Sequence, residues 1–396
     1  MNETLKSDLK HYLESIDDPR KSKGKIYPLY QLLICLFYGV FCGYDNSSDI
    51  EDFVDVNFDY FNKTFSLKDV PSHDTFSRIM RMLDVKTLAS ALSVFLTEKY
   101  PEKYAEYGGK KVLHIDGKAI KASTEKCNGQ NTVYFMNSKY EGHSISLYSE
   151  KIEDKKCEIS AIPTFLDNFN LEDCIVTIDA IGCNSNIIDK IISKGGSYLV
   201  PVKENQKSLL NAINDEVNRL KQSGEIKMLD SALLQSKNHG RIEEKRASLL
   251  TDTEFIFKNE KNPKAFKKIG SILYVENIVE TKVNGEWVST KKDVYAITNL
   301  TNVSCQNLLE IKTSHWSIES SHWLLDVQFN EDRNTSRKDN AASNFSVLRR
   351  FCLAIKEALN NKSRDEKRKL TTHKFFIRNS FNFKKIEELL FTFDIK

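Results

Sequence analysis

Residues 174–202, CIVTIDAIGCNSNIIDKIISKGGSYLVPV, decide the fold. Cys174–Asp179 (CIVTID) is a short apolar run that reads as a buried strand, Ser185–Ser193 reads as a helix, and Ser197–Val202 (SYLVPV) reads as another strand. Upstream, the same texture begins at Lys110. Val112–Asp116 (VLHID) predicts a short strand, Thr132–Lys139 and Ser144–Ile152 predict a hairpin across Glu141-Gly142, and Ile159–Phe169 predicts a helix. The order is β-β-β-α-β-α-β. Three antiparallel strands followed by alternating helix and strand predict a mixed sheet covered by helices.

This is the element order of the ribonuclease-H-like fold, so the expected class is α/β with a ribonuclease-H-like mixed sheet. Downstream, a charged helix at about 206–222 leads into alternating runs such as Ile272–Val279 (ILYVENIV) and Trp287–Ile297. These predict an antiparallel β insertion at about 235–300. Helical stretches follow from Cys305 to Trp323 and from Ala341 to Leu359. Residues 1–100 read as an all-helical N-terminal domain, with helices through Leu5, Leu9, Tyr12 and Ile16, through Leu32–Cys42, and at about Asp49–Phe61. In VPSHDTFSRIMRML, Ser72 is a candidate N-cap, and Phe76, Ile79, Met80 and Leu83 form an apolar stripe at i, i+3, i+4, i+7. The opposite face carries His73, Thr75, Arg78 and Arg81, which suits either a DNA groove or plain solvent.

At 396 residues the chain has room for two or three packed units, because single cores stop growing at roughly 250–300 residues. Its 15 Gly and 7 Pro exclude collagen-like or low-complexity architecture. The net charge of +3 is silent about nucleic acid, but the distribution is not: residues 333–396 hold 16 Lys and Arg against 7 Asp and Glu, and the remainder is net acidic. Such a cationic end suits a polyanion or a solvated helix surface. The polar start is unlike a signal peptide, and Leu32–Cys42 (LLICLFYGVFC) falls short of the roughly 18–20 residues that span a bilayer, so no membrane association is expected. Eight scattered cysteines without a C-x-x-C pair predict free thiols in a reducing cytoplasm and no zinc site.

Two carboxylates, Asp116 and Asp179, stand at the ends of the first and fourth strands, which are neighbours in a ribonuclease-H-like sheet. Acidic residues also terminate strands for structural reasons alone. In SHWSIESSHWLLDVQF, His315, Glu319, His322 and Asp326 recur at i, i+4, i+7, i+11, one helix face, between apolar flanks of Trp316, Ile318, Trp323, Leu325 and Val327. That pattern suits a helix packed firmly on a core with Glu319 aimed at the two aspartates; the competing reading is a structural helix with a buried histidine network. Three carboxylates with no side-chain nucleophile suit phosphoryl transfer assisted by two Mg²⁺ or Mn²⁺ ions. No GxxxxGK[ST], GxGxxG after a strand, HExxH or GxSxG occurs, so nucleotide motors, dinucleotide enzymes, zincins and α/β-hydrolases find no support.

Taken together, DPRKSKGKIYPL, PSHDTFSRI, HIDGKAIKAS, EISAIPTFLD, TIDAIGCN, VKENQ, HGRIE, HWSIESSHWLLDVQFNEDRNTSR and NAASNFSVLRRF cover nearly the whole chain. In that order they resemble bacterial insertion-sequence transposases of the DDE type, in the group containing the H-repeat-associated proteins. The resemblance implies a catalytic domain at 110–360, a DNA-end-binding role for residues 1–100, and leaves 361–396 as a basic tail. It places the acidic triad on Asp116, Asp179 and Glu319, as catalytic residues and ligands of two Mg²⁺ or Mn²⁺ ions, with His315, His322 and Asp326 supporting them. DNA contacts would fall on Lys203, Asn205, Gln206, His239, Arg241, Lys312, Arg333, Arg337 and Lys338, with Arg349 and Arg350 behind them. The implied partners are double-stranded DNA, as element ends and target, and further copies of the chain in a homodimeric or larger synapse within the bacterial nucleoid.

Four positions depart from the group's pattern. Thr313 replaces an Arg, with Lys312 beside it; Ser320 and Ser321 stand in IES and SHW; and Glu204 interrupts KxNQ. None is a triad position, and Lys312 would supply a point charge in place of a bidentate fork. The expected function is binding of terminal inverted repeats followed by cleavage and 3′-hydroxyl strand transfer. A catalytically silent DNA-binding descendant and a plain nuclease are the alternatives.

Overall fold

A computed structural model describes residues 3–21, 25–99, 104–120, 123, 132–142, 148–152, 158–238, 240–257, 268–283, 286–362, 374 and 383. Six helices occupy the N-terminal part: α1 (Glu3–Glu14), α2 (Leu29–Phe41), α3 (Ser47–Val56), α4 (Phe58–Phe65), α5 (His73–Met82) and α6 (Val85–Lys99). A helix apolar on every side must be enclosed, and all of α2 except Tyr30 is buried. One helix was expected over Asp49–Phe61, but two form. Asn57 ends α3 by donating Nδ2 to the Phe53 carbonyl (2.7 Å), and α4 starts directly after it. α5 begins where its cap predicts, Ser72 Oγ accepting from Thr75 N, and Phe76, Ile79, Met80 and Leu83 are all buried.

The chain divides into two compact units, one of residues 1–103, 117–158 and 319–396, the other of 104–116 and 159–318. In the first unit, α1–α6 share one core with Leu325, Phe329, Phe345, Leu348, Phe351 and Ile355. The later residues come from α12 (Trp316–Gln328), the turn after it and α13 (Ala341–Lys362). Asn344 Nδ2 fixes the junction by donating to the carbonyls of Met80 (2.8 Å) and Leu83 (3.0 Å). β3 (Val133–Tyr140) and β4 (Tyr148–Ile152) form the expected antiparallel hairpin.

The second unit is a mixed sheet. β1 (Glu106–Tyr107) pairs antiparallel with β2 (Lys110–Ile120), which runs parallel to β5 (Cys174–Ile178), itself parallel to β6 (Ser197–Val202). β7 (Asp230–Asn238), β8 (Arg241–Leu250), β9 (Ser271–Val283) and β10 (Glu286–Thr298) are antiparallel throughout, and β10 pairs with β6, so they extend the same sheet. Around it lie α7 (Glu158–Phe165), α8 (Ser185–Ser193), α9 (Lys207–Ser223), α10 (Glu254–Phe257) and α11 (Cys305–Ser314), the last burying Cys305, Leu308, Leu309 and Ile311 against Val112, Ile175 and Leu273. No helix among the described residues is long and apolar enough to cross a membrane.

Two expectations need correction. β2 does not stop at Asp116 but continues to Ile120, because the ammonium of buried Lys118 is neutralised by Asp326 and Glu331. The helical stretch from Cys305 to Trp323 is broken at His315, where α11 ends and α12 starts. His315, Glu319, His322 and Asp326 therefore do not share one unbroken helix.

Candidate active site

The register Ile115↔Ile178 sets Asp116 and Asp179 at consecutive positions on neighbouring parallel strands. In a parallel pair such residues share a face and lie about 5 Å apart across the ladder. Asp179 ends β5 with its carboxylate accepting from Ile181 N (3.0 Å), which holds the turn Ala180–Gly182 beneath it. Gly182 is required there: a Cβ would sit 2.5 Å from Cβ of buried Ile178 and 3.3 Å from Cγ1 of Val200. Gly182→Ala is expected to cost about 1–3 kcal/mol by overpacking and to displace Asp179; urea unfolding reads the first effect, and an unchanged midpoint would contradict it.

The amides of Asn205 and Gln206 hold the same loop. Asn205 Nδ2 donates to the Ala180 carbonyl and Gln206 Nε2 to the Cys183 carbonyl, each at 2.8 Å. Both side chains thus have a positioning task that the sequence reading, which gave them to DNA, missed. Two residues back along the strands, His114 Nδ1 and Thr177 Oγ1 are 2.7 Å apart, and Thr177 Oγ1 lies 2.7 Å from His315 Nδ1. With Ser314 Oγ 3.4 Å from His114 Nε2, this chain ties the end of α11 to the strands that carry the aspartates.

Glu319 is exposed in the first turn of α12, in the other compact unit. Among the described residues no group of three or more His, Cys, Asp or Glu side chains is placed to hold a metal ion. The structure sets Asp116 and Asp179 on neighbouring strands of the second unit, and Glu319 belongs to the first. The pair offers oxygen donors only, the set a hard divalent cation prefers.

Around Glu319, α12 buries Ile318, Ser321 and Leu325, and Phe329 follows them. The expected packing of Trp316, Trp323 and Val327 is not found. They are 64%, 57% and 49% exposed, because this buried stripe occupies the other side of the helix. His322 and Asp326 are engaged instead in a polar network, of which the sequence reading offered only a buried histidine network as its competing alternative, without the partners. Asn137 Nδ2 donates to His322 Nε2 (3.1 Å), and Arg350 Nε donates to Asn137 Oδ1 (2.9 Å). Arg350 also pairs with Glu331 (2.9 Å), which pairs with Lys118 (3.1 Å), and Lys118 donates to Asp326 (2.5 Å). Burial raises the Asp326 carboxyl above its ordinary range against the pull of Lys118. Gly117, next to Asp116 in the chain, lets the Glu158 carboxylate approach closely.

Arg349 and Arg350, read as basic side chains behind the DNA contacts, are buried. Arg349 donates to the carbonyls of Phe329 (3.0 Å) and Asp45 (2.9 Å), so neither guanidinium is a surface phosphate contact. Arg333 and Lys338 are exposed and Arg337 is half-buried. Arg241 is exposed beside Glu243, and His239 lies outside the described residues.

Lys312 is half-buried, and its ammonium is pushed down to about 8, first by burial and then by Lys245 and Lys203, with Glu243 opposing. Lys292 adds to the repulsion, and Lys245 and Lys292 both stand opposite Asn277, so the strand register assembles a lysine face. The folded value lies below the ordinary 10.5, so the penalty is full below pH 8 and fades as pH rises from 8 towards 10.5. Lys312→Met is expected to gain about 1–3 kcal/mol at pH 7 and to flatten that rise; a less stable variant at pH 7 would contradict it.

Residues 107–355 match the family model described as Transposase DDE domain, and residues 10–96 match the one described as DDE_Tnp_1-associated. The chain belongs to the DDE transposase family. It is 27% identical over 354 residues to the protein named "H repeat-associated putative transposase YhhI" of Escherichia coli (strain K12), covering 88% of this chain and 89% of that one. It is 29% identical over 349 residues to "Putative transposase YncI" of Escherichia coli O157:H7, covering 87% and 86%. Membership of the DDE transposases supports a transposase role, with DNA as the substrate class.

Proposed function

We propose that this chain binds the terminal inverted repeats of an insertion sequence, cleaves the DNA at its ends and joins the freed 3′-hydroxyls to target DNA. The observation that carries this is the in-register pair Asp116 and Asp179 within a DDE transposase domain. The succession β2, β3, β4, α7, β5, α8, β6 supports reading the domain as ribonuclease-H-like. Asp116, Asp179 and Glu319 would hold two Mg²⁺ or Mn²⁺ ions, which supply charge neutralisation at phosphate and a deprotonated attacking hydroxyl.

The rest falls to the chain itself. Asn205 and Gln206 keep the Asp179 loop in place, and the network through Lys118, Glu331 and Arg350 fixes α12 and with it Glu319. Lys203, Lys245, Lys292 and Lys312 would neutralise duplex phosphates, which positions DNA without reading its sequence. The N-terminal helices would engage the element ends, and a homodimer or larger assembly would hold two ends at once.

The test is incubation of the protein and Mg²⁺ with a supercoiled plasmid carrying the DNA that flanks its gene. End-specific nicks and joined products are expected. Binding without divalent-dependent cleavage would assign the catalytically silent alternative, and cleavage indifferent to the ends would assign a nuclease.

A further inference from the structure

The core between α11 and the sheet ends in lysines. Along α11, Lys312 falls four residues after buried Leu308 and three after buried Leu309, so it continues the stripe of Cys305, Leu308 and Leu309 on the same side of the helix. On a strand, one face recurs every second residue. Leu249 and Ala247 of β8 lead along the core face to Lys245, and Ala296 and Val294 of β10 lead to Lys292. The register sets Leu234, Lys245, Asn277 and Lys292 in one row across β7, β8, β9 and β10. Three elements thus bring an ammonium to the position where their apolar stripe calls for another hydrophobic side chain.

Lys312 has no ion pair or hydrogen bond among the described residues. Glu243 is the carboxylate that acts on it, but Glu243 lies 3.7 Å from Lys245 and 3.9 Å from Arg241. β7 and β9 add only uncharged Leu234 and Asn277 to the row, while Lys203, at the end of β6, adds a fourth cation. A desolvated ammonium without a counter-ion costs the fold free energy that an apolar side chain would not. What the arrangement does favour is a nucleophile, because a lysine that is partly buried beside other cations holds a free amine near neutral pH. Burial, Lys245, Lys203 and Lys292 hold this amine down to about 8. Lys312 is half-buried and not enclosed, so a small electrophile can approach it.

We propose that Lys312 is a nucleophilic modification site that takes its acyl group from a small acyl phosphate. The neighbouring ammoniums suit the donor's phosphate, and the free amine attacks its carbonyl carbon. The C–N bond forms, the bond from that carbon to the phosphate oxygen breaks, phosphate leaves with the electron pair, and the proton of the amine passes to water. The product is an uncharged amide, so the reaction relieves the repulsion among the lysines and leaves their face with one cation fewer. The site rests on this cluster alone and does not draw on the transposase reading.

The full chain is treated briefly with acetyl phosphate over a range of pH, digested, and its acetylated lysines are quantified by mass spectrometry. At pH 8 Lys312 is expected to react about tenfold faster than the exposed Lys68 and Lys338. Its rate should level off above pH 8, whereas theirs should keep rising towards the ordinary 10.5. In Lys245→Gln/Lys292→Gln, which removes mutually repelling charges and is expected to keep the wild-type Tm or exceed it, the preference for Lys312 should largely vanish. Acetylation of Lys312 no faster than of Lys68 and Lys338, or a preference unchanged in the double variant, would overturn the site. Equal selectivity with the neutral N-hydroxysuccinimide ester of acetic acid would overturn the acyl phosphate as donor.

Discussion

Glu319→Gln is expected to lower divalent-dependent strand cleavage at least about 10³-fold, equivalent to some 4 kcal/mol of lost transition-state stabilisation, while duplex binding and Tm stay at wild-type values. Glu319 is exposed in the first turn of α12, and an isosteric amide keeps its size and shape there while giving up a favourable charge near the helix N-terminus. What it removes is an anionic oxygen donor, which a neutral amide replaces poorly around a divalent ion. Asp179→Asn should fall as far for the same reason, yet also keep its Tm, since the amide oxygen can still accept from Ile181 N. Asp179→Ala would lose that contact and about 1 kcal/mol with it. Nicking of end-bearing plasmid measures cleavage, and titration with the duplex measures binding. Equal nicking by wild type and Glu319→Gln would remove Glu319 from the chemistry.

What local pattern encodes was legible. The strand at Cys174–Ile178, the helix at Ser185–Ser193 and the cap at Ser72 depend on neighbours a few residues away, and the structure has them where the spacing predicts. The adjacency of Asp116 and Asp179 was legible too, since strand order implied it. Partnerships across long separations were not. Arg349 and Arg350 sit in a basic segment that reads as solvent-facing, but Arg350 meets Asn137 across 213 positions and Arg349 meets Asp45 across 304. Lys118 falls beyond the strand expected to end at Asp116, and Asp326, 208 positions on, allows it to be buried within a longer one. The lysine face around Lys312 arises from the register of β8, β9 and β10, which alternation alone leaves open. Trp316 and Trp323 misled for a related reason: helical spacing says which residues share a side, and the core that arrives later says which side is covered.

Removing the charge of Glu331 should be strongly destabilising. Its carboxylate is fully buried between Lys118 and Arg350 and accepts from Ser346 Oγ (2.5 Å). Burial by itself would raise its pKa; Arg350, Lys118, Ser346 and Arg349 outweigh that and hold it down to about 2. In Glu331→Gln the two buried cations keep their desolvation cost while Arg350 loses its counter-ion and Lys118 keeps only Asp326, a loss of about 3–5 kcal/mol. Because the folded value lies below the ordinary 4.5, the contribution is complete above pH 4.5 and disappears as pH falls towards 2. Wild type should therefore shed this part of its stability in that window, whereas Glu331→Gln, already without it, should show a shallower acid limb. Arg350→Lys should not be tolerated, since an ammonium cannot reach Asn137 and Glu331 in the fork geometry that Nε and Nη1 provide. The double replacement Glu331→Leu/Arg350→Met should cost less than either single change, because it removes the buried charges together. Urea unfolding at pH 7 and pH 3 measures all four. If Glu331→Gln unfolds within about 1 kcal/mol of wild type at pH 7, below what breaking a buried pair costs, the network does not hold α12. Glu319 would then owe its position to the apolar stripe of Ile318, Leu325 and Phe329 alone.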